Sequence, residues 1–320
     1  MQNLETDQSW DEEVSALGGG VLQSAAWAKF QEAVGRPAAR NSEEGWTWQA
    51  FERRSRGIKY LFSPYGPVVR QNAPEALESI LVAARERGMD FVRLEPVGAV
   101  TAEVIKSHGG RQISDIEPAC TAVLNLAKSE EELKSGLSSS HRNRINTAPK
   151  RGLEVKSTTD LQTTELFLKL MNDTAKHARI TNHSDGYYRQ MAEILIPSGL
   201  AKYYVAYGEG QPVSCSLIFD WQGTRYYAFT GNDQSLNRKY NASVYSVWRM
   251  IIEAREAGLT KFDFWGIAPT DDSSHAWAGI TAFKLAFGGE RVATIGTWDI
   301  PVKQAKYSAY SAYRKISGKD

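Results

Sequence analysis

The sequence predicts an α/β fold of two similar lobes with mixed sheets, and three observations predict it. Strand-like and helix-like patterns interleave along the chain rather than segregating, as expected where helices layer onto sheets. The chain has 320 residues, long for one hydrophobic core and ordinary for two. One strand–helix–strand unit also occurs twice. Ala84-Arg-Glu-Arg-Gly88 and Ala254-Arg-Glu-Ala-Gly258 each close an amphipathic helix, and an aromatic-rich strand comes after each, at Phe91 and Phe262. The glycines are 170 residues apart, about half the chain, which favours a duplicated domain. The expected boundaries are 1–137 for the first lobe, completed by 297–320, and 138–296 for the second.

Ser24 can cap a first helix that carries Trp27, Phe30 and Val34 on one face. Trp46-Thr-Trp-Gln-Ala-Phe alternates as a strand, and Lys59-Tyr-Leu-Phe-Ser is a second strand stopped by Pro64-Tyr-Gly-Pro67. Residues 74–87 form a helix, with Pro74 in its first turn and Gly88 at its end. Phe91-Val-Arg-Leu-Glu is a strand ended by Pro96. Ser129-Glu-Glu-Glu opens a helix at the join, and Ser140 caps another that runs to about Lys150 and closes at Gly152. In the second half, Tyr226-Tyr-Ala-Phe-Thr-Gly is a strand, 242–257 a strong amphipathic helix and Lys261-Phe-Asp-Phe-Trp-Gly a strand. A strand at Thr297 and a terminal helix bearing Tyr307, Tyr310 and Tyr313 finish the chain.

Composition removes several function classes. With 38 basic and 37 acidic side chains, nothing suggests a dedicated DNA-binding protein, whose affinity rests on many phosphate contacts. Cys120 and Cys215 form neither a disulfide framework nor a zinc spacing, and both lie in apolar runs expected to bury them. The N-terminus lacks the basic and apolar regions of a signal peptide, and no apolar run reaches the ~18 residues of a membrane span. A cytoplasmic location is therefore expected. The five histidines show no metal-ligand pairing, and no phosphate loop, dinucleotide fingerprint or nucleophile elbow is present. No cofactor and no metal is expected.

Three constellations remain. The first, Asn237-Arg-Lys-Tyr-Asn-Ala-Ser-Val, lies between a strand and a helix. Acyl-CoA transferases of the GNAT superfamily bind pyrophosphate at this topological point, on backbone N–H groups of a glycine-rich turn. Here the place carries Arg238 and Lys239 and no glycine, so a donor other than CoA is favoured over a CoA cradle; a basic turn that merely caps a helix is the plainer reading. The second is the cluster His141, Arg142, Arg144, Lys150 and Arg151. It is either a solvated helix or a platform for the phosphates of a nucleotide or RNA end. The third is Asp263-Phe-Trp-Gly-Ile267 and then Trp277-Ala-Gly-Ile-Thr-Ala-Phe-Lys-Leu-Ala-Phe-Gly-Gly-Glu290. Phe283 and Phe287 could be core on a helix with Lys284 snorkelling, or the lysine could hold an anion beside the diglycine.

This last stretch, through Phe262-Asp-Phe-Trp-Gly-Ile and Gly279-Ile-Thr-x-Phe-Lys-x-x-Phe-Gly-Gly-Glu290, resembles the FemABX family of peptidoglycan bridge-forming aminoacyltransferases. Weaker matches run from about residue 20 to 300: Leu22-Gln-Ser-x-x-Trp27-x-Lys29, Tyr65-Gly-Pro67, Arg142-x-Arg144-Ile-x-x-Ala148-x-x-x-Gly152 and Thr174 to Tyr188. The resemblance implies two tandem GNAT-like lobes of the compact type, since no heptad run is present to build a coiled-coil arm. The family often has Arg where this chain has His177, and Asp-Pro where it has Glu95-Pro96.

The resemblance also implies the chemistry: transfer of an amino acid from aminoacyl-tRNA to an amine of the precursor's stem peptide, the precursor being UDP-muramyl-pentapeptide or a lipid-linked form met at a membrane surface. An ester becomes an amide, which is downhill and needs no ATP site. Lys284, set by Phe283, is then the cation that stabilises the oxyanion. Glu95 orients or deprotonates the amine. Lys29, helped by Arg179, holds the precursor diphosphate, and Tyr187, Tyr227 and Trp265 are pocket walls. Arg142, Arg144, Arg238 and Lys239 are candidates for tRNA phosphates. Two rivals stay open: an N-acyltransferase using acyl-CoA or an acyl carrier, and a non-catalytic protein that binds precursor or RNA.

Overall fold

Parallel neighbours in a sheet need a crossover too long for a tight turn, and in each half of this chain a helix supplies one. The structure, a computed structural model, describes residues 6–178 and 181–316. The chain runs α1 (Asp7–Ala16), α2 (Ala25–Ala33), β1 (Ala38–Glu43), β2 (Trp46–Ser55), β3 (Ile58–Ser63), β4 (Val68–Val69), α3 (Ala73–Glu86), β5 (Phe91–Leu94), β6 (Val97–Gly98), α4 (Ala102–Ser107) and β7 (Arg111–Gln112). It continues through β8 (Cys120–Asn125), α5 (Glu130–Gly136), α6 (Ser139–Thr147), β9 (Leu153–Thr158), α7 (Thr163–Ala178), α8 (Asp185–Leu195), β10 (Ala201–Gly208), β11 (Gln211–Trp221) and β12 (Thr224–Asn232). Then come α9 (Gln234–Tyr240), α10 (Ala242–Glu256), β13 (Lys261–Gly266), α11 (Ala278–Leu285), β14 (Glu290–Ala293), β15 (Trp298–Pro301) and α12 (Gln304–Ile316).

Two units result, one of residues 1–119 with 293–320, the other of 120–292. The expected first join, at 137/138, lies earlier because β8 pairs antiparallel with β13 inside the second sheet. The return to the first unit comes at Ala293 rather than Thr297. The first sheet has the order β6-β4-β2-β3-β5-β15-β7, with β1 on β2; the second has β14-β8-β13-β12-β11-β10-β9. Each contains the repeated unit: β3 and β5 run parallel across α3, and β12 and β13 run parallel across α10. The repetition extends to the entry of the crossover helix. Asn72 and Asn241 precede α3 and α10 in the left-handed conformation, at φ 61° and 57°, and a buried alanine comes after each. Asparagine tolerates that conformation better than other residues with a Cβ.

Each unit has its own apolar core. In the first, Trp46, Trp48, Leu77, Ile80, Leu94 and Trp298 lie between the sheet and α3. In the second, Val247, Met250 and Ile251 of α10 pack with Phe262 and Phe264 of β13. Cys120 and Cys215 are both buried, which pushes both thiols up.

Local signals explain most element ends. Ser24 Oγ accepts from the Trp27 N–H at 3.1 Å and starts α2. The cap of α6 is Ser138 rather than Ser140: Ser138 is extended and accepts from the His141 N–H at 3.2 Å, while Ser140 lies inside the first turn. The helix ends at Thr147 rather than near Lys150, and Arg151 lies beyond it in a 3-10 turn and donates to the Lys239 carbonyl at 2.8 Å.

Arg93 of β5 and Asp299 of β15 face each other across the ladder and form a buried two-pronged ion pair at 2.7 and 2.8 Å. The Tyr307 hydroxyl of α12 also donates to Asp299, at 3.2 Å. The pair thus fixes the C-terminal strand and helix onto the first sheet. Removing one partner leaves a buried charge alone, which typically costs ~3–5 kcal/mol. Arg93→Ala is expected to lose stability in that range by chemical denaturation, and a loss of only a few tenths would show that the pair contributes little.

Candidate active site

The second sheet opens where its parallel strands part. β12 and β13 pair only over Thr224–Tyr226 against Lys261–Asp263. Beyond that point β12 continues to Asn232 and β13 to Gly266. A cleft of about 600 Å³ opens there, lined by Tyr227, Ala228, Thr230 and Asn232 of β12. α9 and the start of α10 add Asn237, Arg238, Asn241, Ser243 and Val244; α11 adds Ile280, Phe283 and Lys284; Arg144 of α6 and Thr174 of α7 complete it. An opening between parallel strands at a change of direction is where α/β sheets bind ligands.

The place of a glycine-rich phosphate turn is taken by a helix. Asp233 caps α9 through the Leu236 N–H at 3.0 Å, and α9 runs directly into α10 through Asn241. Asn237 Oδ1 accepts from the Ser243 N–H at 2.8 Å and from its hydroxyl at 3.0 Å. A backbone donor in the first turn of α10 is therefore already engaged by a side chain. Polar side chains and two arginines line this end of the cleft instead.

Lys284 is buried, 8% exposed, and lines the cleft. Nζ donates to the Gly266 carbonyl at 2.7 Å, a bond that uses one of the three ammonium protons. Burial pushes its pKa down to about 8, and the Asp263 carboxylate partly opposes that shift. Thr281 Oγ1 accepts from the Ala268 N–H at 2.8 Å and ties α11 to the end of β13. The two phenylalanines differ in their surroundings, and Lys284 between them is buried rather than snorkelling. Phe287 is core, stacked on Phe264 at 5.4 Å. Phe283 packs edge-on against Phe287 and lines the cleft. The diglycine serves packing: Gly288 has φ +86°, and a Cβ there would meet the Gly136 carbonyl oxygen at 3.1 Å.

Arg144, Tyr227, Arg238, Phe283 and Lys284 are thus brought together in one cleft. The sequence reading missed Thr174, Thr230, Asn232 and Asn241 as lining residues; the signal for Asn241 was its echo in Asn72, an alanine standing next to each asparagine. His141, read as part of a basic cluster, is buried against Phe287 and Phe283, at 4.5 and 5.6 Å between rings. Burial, and then Arg144, lower its pKa, so it packs as an aromatic.

The other candidates lie elsewhere. Arg142 donates to the carbonyls of Ser135, at 2.9 Å, and Leu137 at the end of α5. Lys239 pairs with Glu209 at 3.3 Å and sits over Tyr240. Tyr187 packs on the His183 ring at 4.2 Å. Trp265 lies past the point of parting with a left-handed backbone, φ 62°, and touches Tyr226 edge-on. Arg179 lies outside the described residues. Lys29 belongs to the first unit, where it pairs with Asp7 at 2.5 Å and is well exposed. His177 Nδ1 is 2.7 Å from the Asp173 carbonyl. Among the described residues no group of His, Cys, Asp and Glu converges as a metal site.

Glu95, also in the first unit, is 2% exposed. One oxygen accepts from the Glu117 N–H and the Thr297 hydroxyl, both at 2.8 Å, and the other from the Tyr65 N–H at 3.4 Å. Burial pushes its pKa up to about 8, the Glu117 carboxylate adds to the rise, and the three donors partly offset it. The residue clamps three segments together.

Comparison with known proteins agrees with this architecture. A model of the FemAB family matches residues 106–207 and 197–315. The aminoacyltransferase FemA of Staphylococcus aureus is 26% identical over 111 residues, covering 34% of this chain and 26% of FemA. The match therefore spans about a quarter of the length of that relative. The crystal structure of FemX superposes with a TM-score of 0.79 at 18% identity, covering 95% of this chain and 98% of FemX. A tandem GNAT protein from the clavulanic acid biosynthesis pathway superposes with a TM-score of 0.50 at 13% identity, covering 82% and 83%. The fold is thus the tandem GNAT-like α/β architecture that FemX has.

Glu95 gives the first unit a thermodynamic signature. A carboxyl whose folded pKa lies near 8, above its ordinary 4.5, favours the fold when protonated; that contribution is complete below about pH 4.5 and is lost as pH rises towards about 8. Wild type is expected to lose melting temperature relative to Glu95→Gln across that window. Parallel curves for the two proteins would show that Glu95 titrates normally.

Proposed function

The chain belongs to the FemAB family, and from that premise we propose that it is an aminoacyltransferase that moves an amino acid from aminoacyl-tRNA to an amine of a peptidoglycan precursor's stem peptide. The observation that carries this reading is Lys284, a desolvated ammonium on the cleft with one proton fixed by Gly266. The amine nitrogen attacks the carbonyl of the aminoacyl ester. The C–N bond forms, the C–O bond to the tRNA ribose breaks, and the amine's proton ends on the departing ribose oxygen. Charge gathers meanwhile on the carbonyl oxygen, and a positioned donor facing it is worth ~3–4 kcal/mol. Lys284 fills that role, with Phe283 and Tyr227 as walls.

Arg144 and Arg238 on the same cleft suit phosphates near the RNA end. Arg142 and Lys239, engaged with carbonyls and Glu209, are weaker candidates. Lys29, in the first unit, meets the precursor diphosphate by exchanging Asp7 for it. Glu95 has its oxygens occupied inside the first unit, so a structural role there is favoured over deprotonation of the amine. The precursor is nucleotide-linked or lipid-linked; the latter brings the protein to a membrane surface without a span, and no helix among the described residues is long and apolar enough to cross one. An acyl-CoA donor is disfavoured by the side-chain cap that Asn237 places on Ser243. A purely binding role is disfavoured by the cost of burying Lys284 for no chemistry.

The deciding experiment is incubation with labelled aminoacyl-tRNAs or acyl-CoAs and UDP-muramyl-pentapeptide or its lipid-linked form. A mass gain of one amino acid from the tRNA donor is expected, and a gain only from acyl-CoA would replace this reading. Lys284→Ala is expected to lower kcat roughly 10²–10³-fold. Because the cation is lost as pH passes about 8, the wild-type rate falls on that limb, and Lys284→Arg extends it upwards. A folded Lys284→Ala enzyme with full rate sinks the assignment. Lys29→Ala is expected to raise the precursor KM with kcat little changed.

A further inference from the structure

The bend at the end of β13 has a function of its own. Between Asp263 and Gly266 the strand advances three residues while β8 advances two, from Val123 to Thr121. One extra residue has entered β13 there, a bulge that redirects the strand end. Trp265 sits in the bulge at φ 62°, a conformation that costs a bulky side chain and persists only where its surroundings enforce it. The enforcing contact is local: Asp263 Oδ1 accepts from the Trp265 N–H at 2.7 Å. The next carbonyl, that of Gly266, is the one that receives Lys284 Nζ at 2.7 Å. Gly266 and Phe264 are buried on either side, and Ile267 rejoins β8 through the Cys120 carbonyl at 2.9 Å. The bend is therefore fixed at both ends.

We infer that Asp263 is a positioning residue for Lys284: its carboxylate holds the left-handed turn at Trp265 that aims the Gly266 carbonyl at the ammonium, and its charge keeps that ammonium protonated. The inference rests on the reading of Lys284 as the cation of the transfer site. Geometry carries it, and the electrostatics agree. Asp263 as a residue is partly exposed, but its carboxyl is desolvated and pushed up to about 6, with the Trp265 N–H, Lys284, the Thr121 side chain and Lys261 opposing that rise. Lys284 is pushed down by burial and raised by Asp263. Arg144 and Arg238 line the same cleft as Lys284, and Asp263 is the charged group that raises the lysine against its burial. The alternative duty, plain stabilisation of the strand end, predicts no effect on the titration of Lys284.

The test reads Lys284 directly. In protein labelled with [13C]lysine, the Cε resonance of Lys284, assigned by its loss in Lys284→Arg, is tracked against pH. Asp263→Asn keeps an oxygen for the Trp265 N–H and removes the charge. Its Lys284 midpoint is expected to move down by about one unit, with kcat reduced about five-fold near pH 8, KM within a few-fold, and rate partly restored by lowering the pH. An unchanged midpoint in a folded Asp263→Asn protein overturns the inference. If that variant does not fold, wild type decides: the Lys284 signal has to show a second inflection where Asp263 titrates, and a single inflection overturns it. The two ideas fail separately. A moved midpoint together with full activity in Lys284→Ala removes the catalytic role and leaves the positioning intact.

Discussion

The parting of two parallel strands is the constraint on which the rest of the second unit depends. β12 and β13 share only three residue pairs, and every element around them is arranged by that short contact. α10 must cross from one strand to the other, so its start lies at the mouth of the gap. β13, released from β12, still pairs with β8 and bends by one residue as it leaves. α11 then covers the bend, tied by Thr281 and Lys284 to the backbone at Ala268 and Gly266. A lysine becomes buried there because the strand in front of it has parted from β12 and offers the Gly266 carbonyl.

The first unit repeats the topology with a different ending. β3 and β5 stay paired over four residues, Tyr60–Ser63 against Phe91–Leu94. Past that pairing Gln23 bonds to the Gln49 and Pro64 carbonyls, and Glu95 gathers Tyr65, Glu117 and Thr297. Here hydrogen bonds within the protein take up the polar groups that, in the second unit, line an open cleft. One architecture thus supplies a closed end and an open one, and side chains at the strand ends make the difference.

Much of this was legible from the residues. Periodicity, Ser24 and the repeated Ala-Arg-Glu segment located the helices and the duplication, because amphipathic spacing and capping are local in sequence. The join was placed too late because the partner of β8 is β13, well over a hundred residues further on, and pairing over that distance leaves no local mark. Lys284 and Phe283 were found through motif; what the sequence hid was why the lysine is buried, since Gly266, its acceptor, lies on another element. Arg142 and Lys239 looked like free cations because a run of basic residues does not say which carbonyl or carboxylate each will find. Asn232 and Asn241 were missed for the converse reason: an uncharged amide carries no signal until the fold brings it beside others.

Helix α9 bears on how such a site can change. A cradle made of backbone N–H groups recognises its ligand whatever side chains flank it, so it drifts little as a sequence changes. In this chain the corresponding wall is made of side chains, Asn232, Asn237, Asn241 and Ser243; Asn237, Asn241 and Ser243 also hold the α9–α10 turn, which leaves Asn232 the freest of them to change. The shape and polarity of this wall can therefore change by side-chain substitution, while the strands that hold the cleft open stay as they are.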